Sequence, residues 1–518
     1  GLAQDQEGRM WIATDHGGVN LFDPKNRKMS YLMYEEFNDR SLNHNGTTTV
    51  ICDTDGMIWI GTYKGGVNYY HDNLIQFPVY RHHSTAPASL PYDDVNRLVE
   101  DRNGNLWIGT NGGGVVFFGK QKKTYPQYLH SPGDPSSLGS NVIVSLLLDK
   151  EDNLWAGTYH GGLNLFRNGR FIRYLHDPAR PESISNNSVW ELFEDSKGRL
   201  WVGTLFGGIN LMNRETGTFS KPSAHFTGPS SPYICAIMED REGNLWFGSA
   251  TGIEVLDKSG KSITRYAYDP AEKEGLSNDY ISDLLQDSKG RIWVATRDGL
   301  NLFHRGAFRV FKDTEGLRDN TIHTLLEDHA GKIWMSTSKG LSVLSDGREE
   351  GWVIRNFDQH DGLQSVAFNE NAAVKLRSGE LIFGGPSGFN RIRPEDISHE
   401  ETLPRPVISD LLLFNRSVGV GEVVNGRVLL EEAMEYTKEI RLKYDQNVFS
   451  LRISPLYFLH PERVRIRYIL DGFNREWLEL DTRSGMVSFT NLNTGEDVFK
   501  VNTSTGGEQW SGPVILLK

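Results

Sequence analysis

Cysteine is almost missing. Cys52 and Cys235 stand alone, far apart in the chain, so neither a disulfide framework nor a thiolate metal site can be built from them. Both sit in apolar text and read as small buried residues; so few thiols fit an oxidising compartment and a cytoplasm equally. Positive charge is also short: 55 Lys and Arg face 67 Asp and Glu, for a net charge of -12. That is the wrong sign for a protein whose affinity comes from neutralising phosphates, so no direct nucleic-acid partner is expected. Long apolar runs are lacking. The longest, around Leu411 to Phe414, falls far short of the ~18 residues of a membrane helix, and the residues given are expected to form a soluble body. No His-Glu-x-x-His or comparable spacing occurs, so neither a metal nor a cofactor is expected. Gly1 opens directly into repeat text, so any signal peptide is expected to have been removed or to lie upstream.

Aromatic and apolar residues are plentiful. Hydrophobic residues make up 38% and charged residues 24%, with 25 Phe, 19 Tyr and 12 Trp, a composition that folds. At 518 residues the chain needs several cores or one repeat array. An internal search finds a recurring phrase: Asp-x-x-Gly-x-apolar-Trp-apolar-Gly/Ala-Thr, two residues, then Gly-Gly. It runs from Asp53 to Gly66, Asp101 to Gly114 and Asp195 to Gly208, among other places. Its tryptophans are Trp11, Trp59, Trp107, Trp155, Trp201, Trp246, Trp293 and Trp334, spaced 41 to 48 apart, and Phe383 marks a degenerate ninth copy.

Each copy reads as four strands. An apolar segment such as Ile143 to Leu148 precedes the Asp, and the Trp strand follows, as in Leu200 to Thr204. A third strand follows Gly-Gly (Val19 to Phe22, Leu163 to Phe166), and a fourth carries aromatic-x-x-aromatic, as at Phe77 to Tyr80 and Phe171 to Tyr174. An Asp accepting backbone N–H bonds in its own turn, with Gly where positive φ is needed, closes the first hairpin, so Asp101 with Gly104 reads as structural. The Trp is expected as a wedge between stacked sheets. Units of about 40 to 45 residues of this kind describe a β-propeller. The fold class expected is all-β: a seven-bladed ring plus blades of a second, incomplete propeller, followed by an immunoglobulin- or fibronectin-like β-sandwich. The division expected is 1–75 (two blades left over from a preceding ring), 76–403 (the ring) and 404–518 (the sandwich). Closure of the ring is expected through pairing of Phe77 to Tyr80 with Phe389 to Arg393.

After Pro406 the repeat stops, and about 110 strand-like residues follow, a size that suits a small antiparallel sandwich. There Arg463, Arg465 and Arg467 alternate with Val464, Ile466 and Tyr468, which reads as a solvated outer face. The repeat phrase, with Ser-Leu-x-x-Asn-like links at Ser41 to Asn45 and Ser183 to Asn187, resembles the two-component regulator propeller repeat. The tail, Tyr468 to Trp477, Phe489 to Gly495 and Gln509 to Ser511, resembles the sandwich domain named for three tyrosines. Of the three, Tyr468 matches, while Phe489 and Val498 stand where the others belong. The resemblance implies the periplasmic ectodomain of a bacterial hybrid two-component sensor, with a membrane helix, a histidine kinase and DNA-binding parts outside this chain. It further implies an oligosaccharide ligand, control of genes for glycan use and a homodimer partner through the sandwich.

In a propeller the loops between second and third strands, and those leading into the first, open on one face. Residues there that vary between copies are candidates for ligand contact: Tyr63, Lys64, Tyr159, His160, Leu205, Phe206, Arg297 and Asp298 from the former, Tyr92, Asp93, Trp190, Tyr233, Asp279, Tyr280 and His323 from the latter. Aromatic rings beside carboxylates, amides and bases suit sugars, whose apolar faces stack while their hydroxyls hydrogen-bond. Trp190 has a second reading as one more core tryptophan. No catalytic residue is expected. Two other functions stay open: a propeller carbohydrate-active enzyme (a lyase or glycosidase), or a protein-interaction scaffold. The turn differs from the Asp-box of sialidases, because here Asp precedes Gly by three positions.

Overall fold

The structure is a computed structural model. It describes residues 1–36, 38, 41–72, 74, 77–83, 89–120, 125–220, 231–347, 351–397, 406–443, 445–458, 464–481, 484–490, 497–505 and 508–517. The chain forms two units, Ile75–Ile397, and Gly1–Leu74 together with Ser398–Lys518.

The first unit is seven four-stranded antiparallel sheets. Numbered by their innermost strands, blades 1 to 7 start from Val95–Glu100, Ile143–Leu148, Val189–Glu194, Ile234–Glu239, Ile281–Gln286, Ile322–Glu327 and Ala373–Lys375. Each innermost strand touches the next, and the last touches the first, so the sheets stand around a closed axis. Six blades are continuous in sequence. The seventh takes its outer strand, Val79–Tyr80, from the start of the unit, pairing Tyr80 with Phe389 and Val79 with Asn390. This join ties the last blade to the start of the unit and closes the ring.

The repeat phrase is explained residue by residue. In blade 3, Asp195 accepts the backbone N–H of Lys197 and Arg199, the Arg199 Nε–H, and the Trp201 indole N–H at 2.9 Å. The same bond to an indole six positions on recurs at Asp5, Asp53, Asp149, Asp240, Asp287 and Asp328. The Trp therefore does more than fill space: its one polar atom is paired inside the turn that begins its own hairpin. Burial would raise the pKa of Asp195 and Asp287, but the donors around each carboxylate outweigh it and hold both below the ordinary value. Downstream, the motif Thr closes the next turn by donating its hydroxyl to a glycine carbonyl, as Thr110 does to Gly114 at 2.9 Å. Gly114 has φ of +68°, and a Cβ there would come within 2.1 Å of the Tyr128 carbonyl oxygen.

Trp155, Trp201, Trp246, Trp293 and Trp334 are buried between blades, as is Phe383 in the degenerate copy. Trp155 packs with Val189, Leu192 and Val202 of the next blade, and Trp293 with Ile322, Leu325 and Met335. Cys235 is buried, whereas Cys52 is only half-buried.

In the second unit, Leu2–Gln4, Met10–Ala13, Val19–Asp23 and Lys28–Leu32 form one four-stranded sheet, and Thr47–Cys52, Ile58–Thr62 and Gly66–Tyr70 a three-stranded one. The C-terminal part is a sandwich. One sheet orders Arg416–Ser417, Val407–Leu413, Val448–Ser454 and Met486–Thr490; the other orders Glu439–Ile440, Glu508–Leu517, Asp497–Thr505, Arg465–Asp471 and Leu478–Glu479. Leu411, Phe449, Leu451 and Phe489 of the first meet Ile440, Ile466, Leu470 and Phe499 of the second in one core. Tyr468 is half-buried against Phe489 and Phe499. Arg465 and Arg467 are exposed, as on a solvated face, and Arg463 lies outside the described residues.

Candidate functional site

Innermost strands of the ring carry a shared irregularity. Between Ile143 and Ser145, Val189 and Glu191, Ile234 and Ala236, Ile281 and Asp283, and Ile322 and Thr324 the pairing slips by one residue. The bulged residues are Val144, Trp190, Cys235, Ser282 and His323. A bulge turns a side chain away from its alternating place in the sheet, and here it happens at one level in successive blades.

At that level lies a cavity of about 470 Å³ lined by Asn96, Arg97, Tyr159, Trp190, Asn369 and Glu370 among others. A segment of blade 7, residues 369–371, reaches across this mouth. Asn369 Nδ2 donates to Asp94 and to the Val95 carbonyl in blade 1. Asn371, in a left-handed conformation with φ of +56°, donates from its side chain to the Cys235 carbonyl of blade 4 at 3.1 Å, and its own carbonyl accepts from Arg97 at 2.7 Å. Between these anchors, Glu370 accepts from Arg297 at 3.2 Å and from the Tyr280 hydroxyl at 3.0 Å.

An ionic layer lines the same axis. Arg97 pairs with Glu191 at 2.6 Å and also donates to the carbonyl of Val144. Asp283 accepts the backbone N–H of Leu284 and Leu325. Burial pushes Glu191 up to about 7, with Arg97 opposing and Asp283 adding to the rise. Burial pushes Asp283 up to about 6 despite its hydrogen bonds. Both side chains are only half-buried, so their charged forms there are partly solvated, less than in open water.

Of the sequence candidates, the ring brings Trp190, Tyr233, Tyr280 and Arg297 into one chain of contacts. Trp190 meets Tyr233 edge-on at 5.4 Å, Tyr233 meets Tyr280 at 5.9 Å with their hydroxyls 3.1 Å apart, and the Arg297 guanidinium stacks 3.6 Å from the Tyr280 ring centroid. Burial raises the pKa of both tyrosines far above the ordinary value, so both are neutral donors at any physiological pH. Trp190 is half-buried at the cavity, which sets aside the reading of it as a core tryptophan. Tyr159 lines the same cavity, and Leu205 does too. His323 hydrogen-bonds Ser338, while its Nδ1 is without a partner among the described residues; burial lowers its pKa.

The remaining candidates are placed differently. His160 has positive φ and meets the Tyr159 ring at a tilt, 4.0 Å between centroids, and Phe206 is exposed. Asp298 pairs with Lys312 at 2.7 Å. Tyr92 covers Gly112 and Gly113 and donates to the Asn111 carbonyl. Asp93 and Asp279 are turn acceptors: each takes a backbone N–H eleven positions upstream, from His82 and Tyr268, as Asn141 and Asn187 do from His130 and His176. Tyr63 and Lys64 belong to the other unit, where Lys64 lies over the Tyr63 ring. Sequence reasoning missed Asn96, Arg97, Glu191, Asp283 and 369–371. For Arg97, Glu191 and Asp283 a signal existed, since a charge within a strand of the innermost layer is unusual; for 369–371, in the copy that lacks the phrase, none did.

Among the described residues no cluster of three or more His, Cys, Asp or Glu is placed to hold a metal ion. With the rings of Trp190 and Tyr159, amide groups and the Arg97–Glu191 and Arg297–Glu370 ion pairs, the mouth can bind a polar ligand.

Comparison with known proteins gives the class. The two component regulator propeller matches at residues 89–112, 137–160, 183–206, 227–251, 275–298 and 316–339, and the Y_Y_Y domain at 458–516. The propeller matches fall within the seven-bladed ring and the Y_Y_Y match within the C-terminal part, together less than half of the chain. Among solved structures it resembles the extracellular domains of two hybrid two component systems of B. thetaiotaomicron. One has a TM-score of 0.77 at 24% identity, covering all of this chain and 67% of that one; the other has 0.52 at 21%, covering all of this chain and 68% of that one. At these identities the likeness establishes the fold. Histidine kinase P4 of Formosa agariphila is 25% identical over 190 residues, which are 34% of this chain and only 14% of that kinase.

Proposed function

We propose that this chain is the ligand-sensing part of a hybrid two-component sensor histidine kinase, held outside the inner membrane in the periplasm, and that it binds an oligosaccharide at the mouth of the seven-bladed ring. In this reading 1–75 are the last blades of a preceding propeller, 76–403 the sensing ring and 404–518 the relay sandwich. The membrane helix and kinase lie elsewhere in the protein, and the output is transcription of genes for glycan use. The chain itself performs no catalysis.

The observation that carries the reading is the convergence of side chains the repeat does not require. Tyr159, Trp190, Asn96 and Asn369 come from four blades and meet at one cavity, whereas every fixed residue of the phrase is consumed by turns and packing. The cavity volume falls within the roughly 300 to 1,000 Å³ of small-molecule sites. Signalling would follow from a population shift: two copies associate through their sandwiches, and a ligand that binds one arrangement better moves the equilibrium toward it.

Isothermal titration of the chain against an oligosaccharide panel tests this. At least one glycan should give saturable heat, and Trp190→Ala should weaken that binding by about tenfold, the loss of roughly 1.4 kcal/mol of stacking. No saturable binding across the panel, or full affinity in Trp190→Ala, would refute the site.

A further inference from the structure

One carboxylate at the mouth already sits where a ligand's acid group would. Glu370 accepts hydrogen bonds from Arg297 and Tyr280, with the Arg297 guanidinium stacked on the Tyr280 ring and the Tyr233 hydroxyl 3.1 Å beyond. These donors come from blades 4 and 5, the acceptor from blade 7. The fold does not require them. The position of Arg297, directly after the motif Thr, is filled by Tyr159 in blade 2, Leu205 in blade 3 and Ser338 in blade 6, and those blades close equally well.

The occupant is weakly held and easily spared. Side chains of Arg297 and Glu370 keep 51% and 26% exposure, and an ion pair that open contributes little. The backbone of the 369–371 segment is anchored without Glu370: Asn369 bonds Asp94 and Val95, and Asn371 bonds Cys235 and Arg97. Glu370 can therefore swing out by side-chain rotation while the segment stays in place. His323 feels the charges of both Glu370 and Arg297. A guanidinium gives a carboxylate two N–H donors side by side, and a neutral tyrosine hydroxyl adds a third.

We infer that Tyr233, Tyr280 and Arg297 form a carboxylate socket for a uronic-acid residue of a saccharide, and that Glu370 is an internal occupant displaced when that residue binds. This deepens the oligosaccharide reading above and rests on it for the saccharide, but the socket has its own test. An acidic chain of net charge -12 repels anions at long range, so a local cation is what such a ligand needs.

The experiment uses the whole chain in three forms: wild type, Glu370→Gln and Glu370→Ala. Calorimetric titration with uronate oligosaccharides, such as tri-galacturonate and glucuronate-containing disaccharides, is set beside titration with neutral oligosaccharides of equal length. Vacating the socket should strengthen uronate binding about tenfold relative to that of neutral sugars, and adding Arg297→Ala to Glu370→Ala should erase the gain. In parallel, sodium acetate should raise the thermal midpoint of Glu370→Ala above that in sodium chloride of equal ionic strength, and should not do so for wild type. Equal response of uronate and neutral sugars to the Glu370 variants, or no acetate effect on Glu370→Ala, overturns the inference. Acetate stabilisation of Glu370→Ala with no heat from any saccharide would overturn the oligosaccharide reading and leave the carboxylate socket standing.

Discussion

Replacing Asp195 by Ala removes the acceptor for four hydrogen bonds at once: two backbone N–H groups of its own turn, the Arg199 side chain and the Trp201 indole. Their weights differ. The Arg199 side chain is 39% exposed, so its ion pair counts for little. The two turn N–H groups lie near the surface and can turn to water, at about 0.5 kcal/mol each, whereas the Trp201 indole is 1% exposed and its stranded N–H costs about 2 kcal/mol. The total is about 3 kcal/mol. Because 1.4 kcal/mol is tenfold in an equilibrium constant, local opening of blade 3 should rise about a hundredfold. Hydrogen exchange followed by mass spectrometry on peptides spanning 189–212 reads that opening directly, with blade 6, where Asp328 holds Trp334, as an internal control. Trp201→Phe, which keeps an aromatic ring and deletes the N–H, should make the further change Asp195→Asn less harmful than it is in wild type. An increase of less than tenfold in Asp195→Ala, or one spread evenly around the ring, would refute the idea that this bond locks each blade.

Asp283 has a folded-state pKa raised from 3.8 to about 6, so between those values the folded protein binds more protons than the unfolded one, and stability falls as pH climbs from about 4 to about 6, by at most ~3 kcal/mol. The pH dependence of the thermal midpoint in that window should flatten in Asp283→Asn, and an unchanged slope would show that burial does not govern this group. Gly114→Ala should lower stability by about 2 kcal/mol or more, since positive φ and a Cβ 2.1 Å from the Tyr128 carbonyl oxygen combine. Gly169→Ala, with positive φ and open space, should cost only about 1 kcal/mol; equal midpoints for the two variants would contradict the steric account.

The blade phrase was legible because its residues act within their own hairpin. Asp195, Gly198 and Trp201 find each other across seven positions, so any seven-residue window carries the instruction, and repetition marks it as scaffold. The sandwich core was legible for a similar reason, in the alternation along Val448–Ser454 and Arg465–Asp471. Loop candidates fared unevenly. Tyr233, Tyr280 and Arg297 stood out as aromatic and charged residues at variable positions, yet Asp93 and Asp279, equally variable in kind, proved to be turn acceptors that stand in for asparagine. Nothing local separates the two cases, because the difference lies in which neighbour the carboxylate faces.

The linear text thus determined the unit: a hairpin-locking Asp, a paired Trp, a glycine at positive φ and the strands they join. Only ring closure brought the candidate residues together. It brought Arg97 of blade 1 to Glu191 of blade 3, and Glu370 of blade 7 to Arg297 and Tyr280 of blade 5, contacts spanning 73 to 94 positions. Local propensity cannot encode such pairs, since they arise from the axis that all blades share. At Trp190 and His323 a bulge also breaks the alternation by which a strand is read.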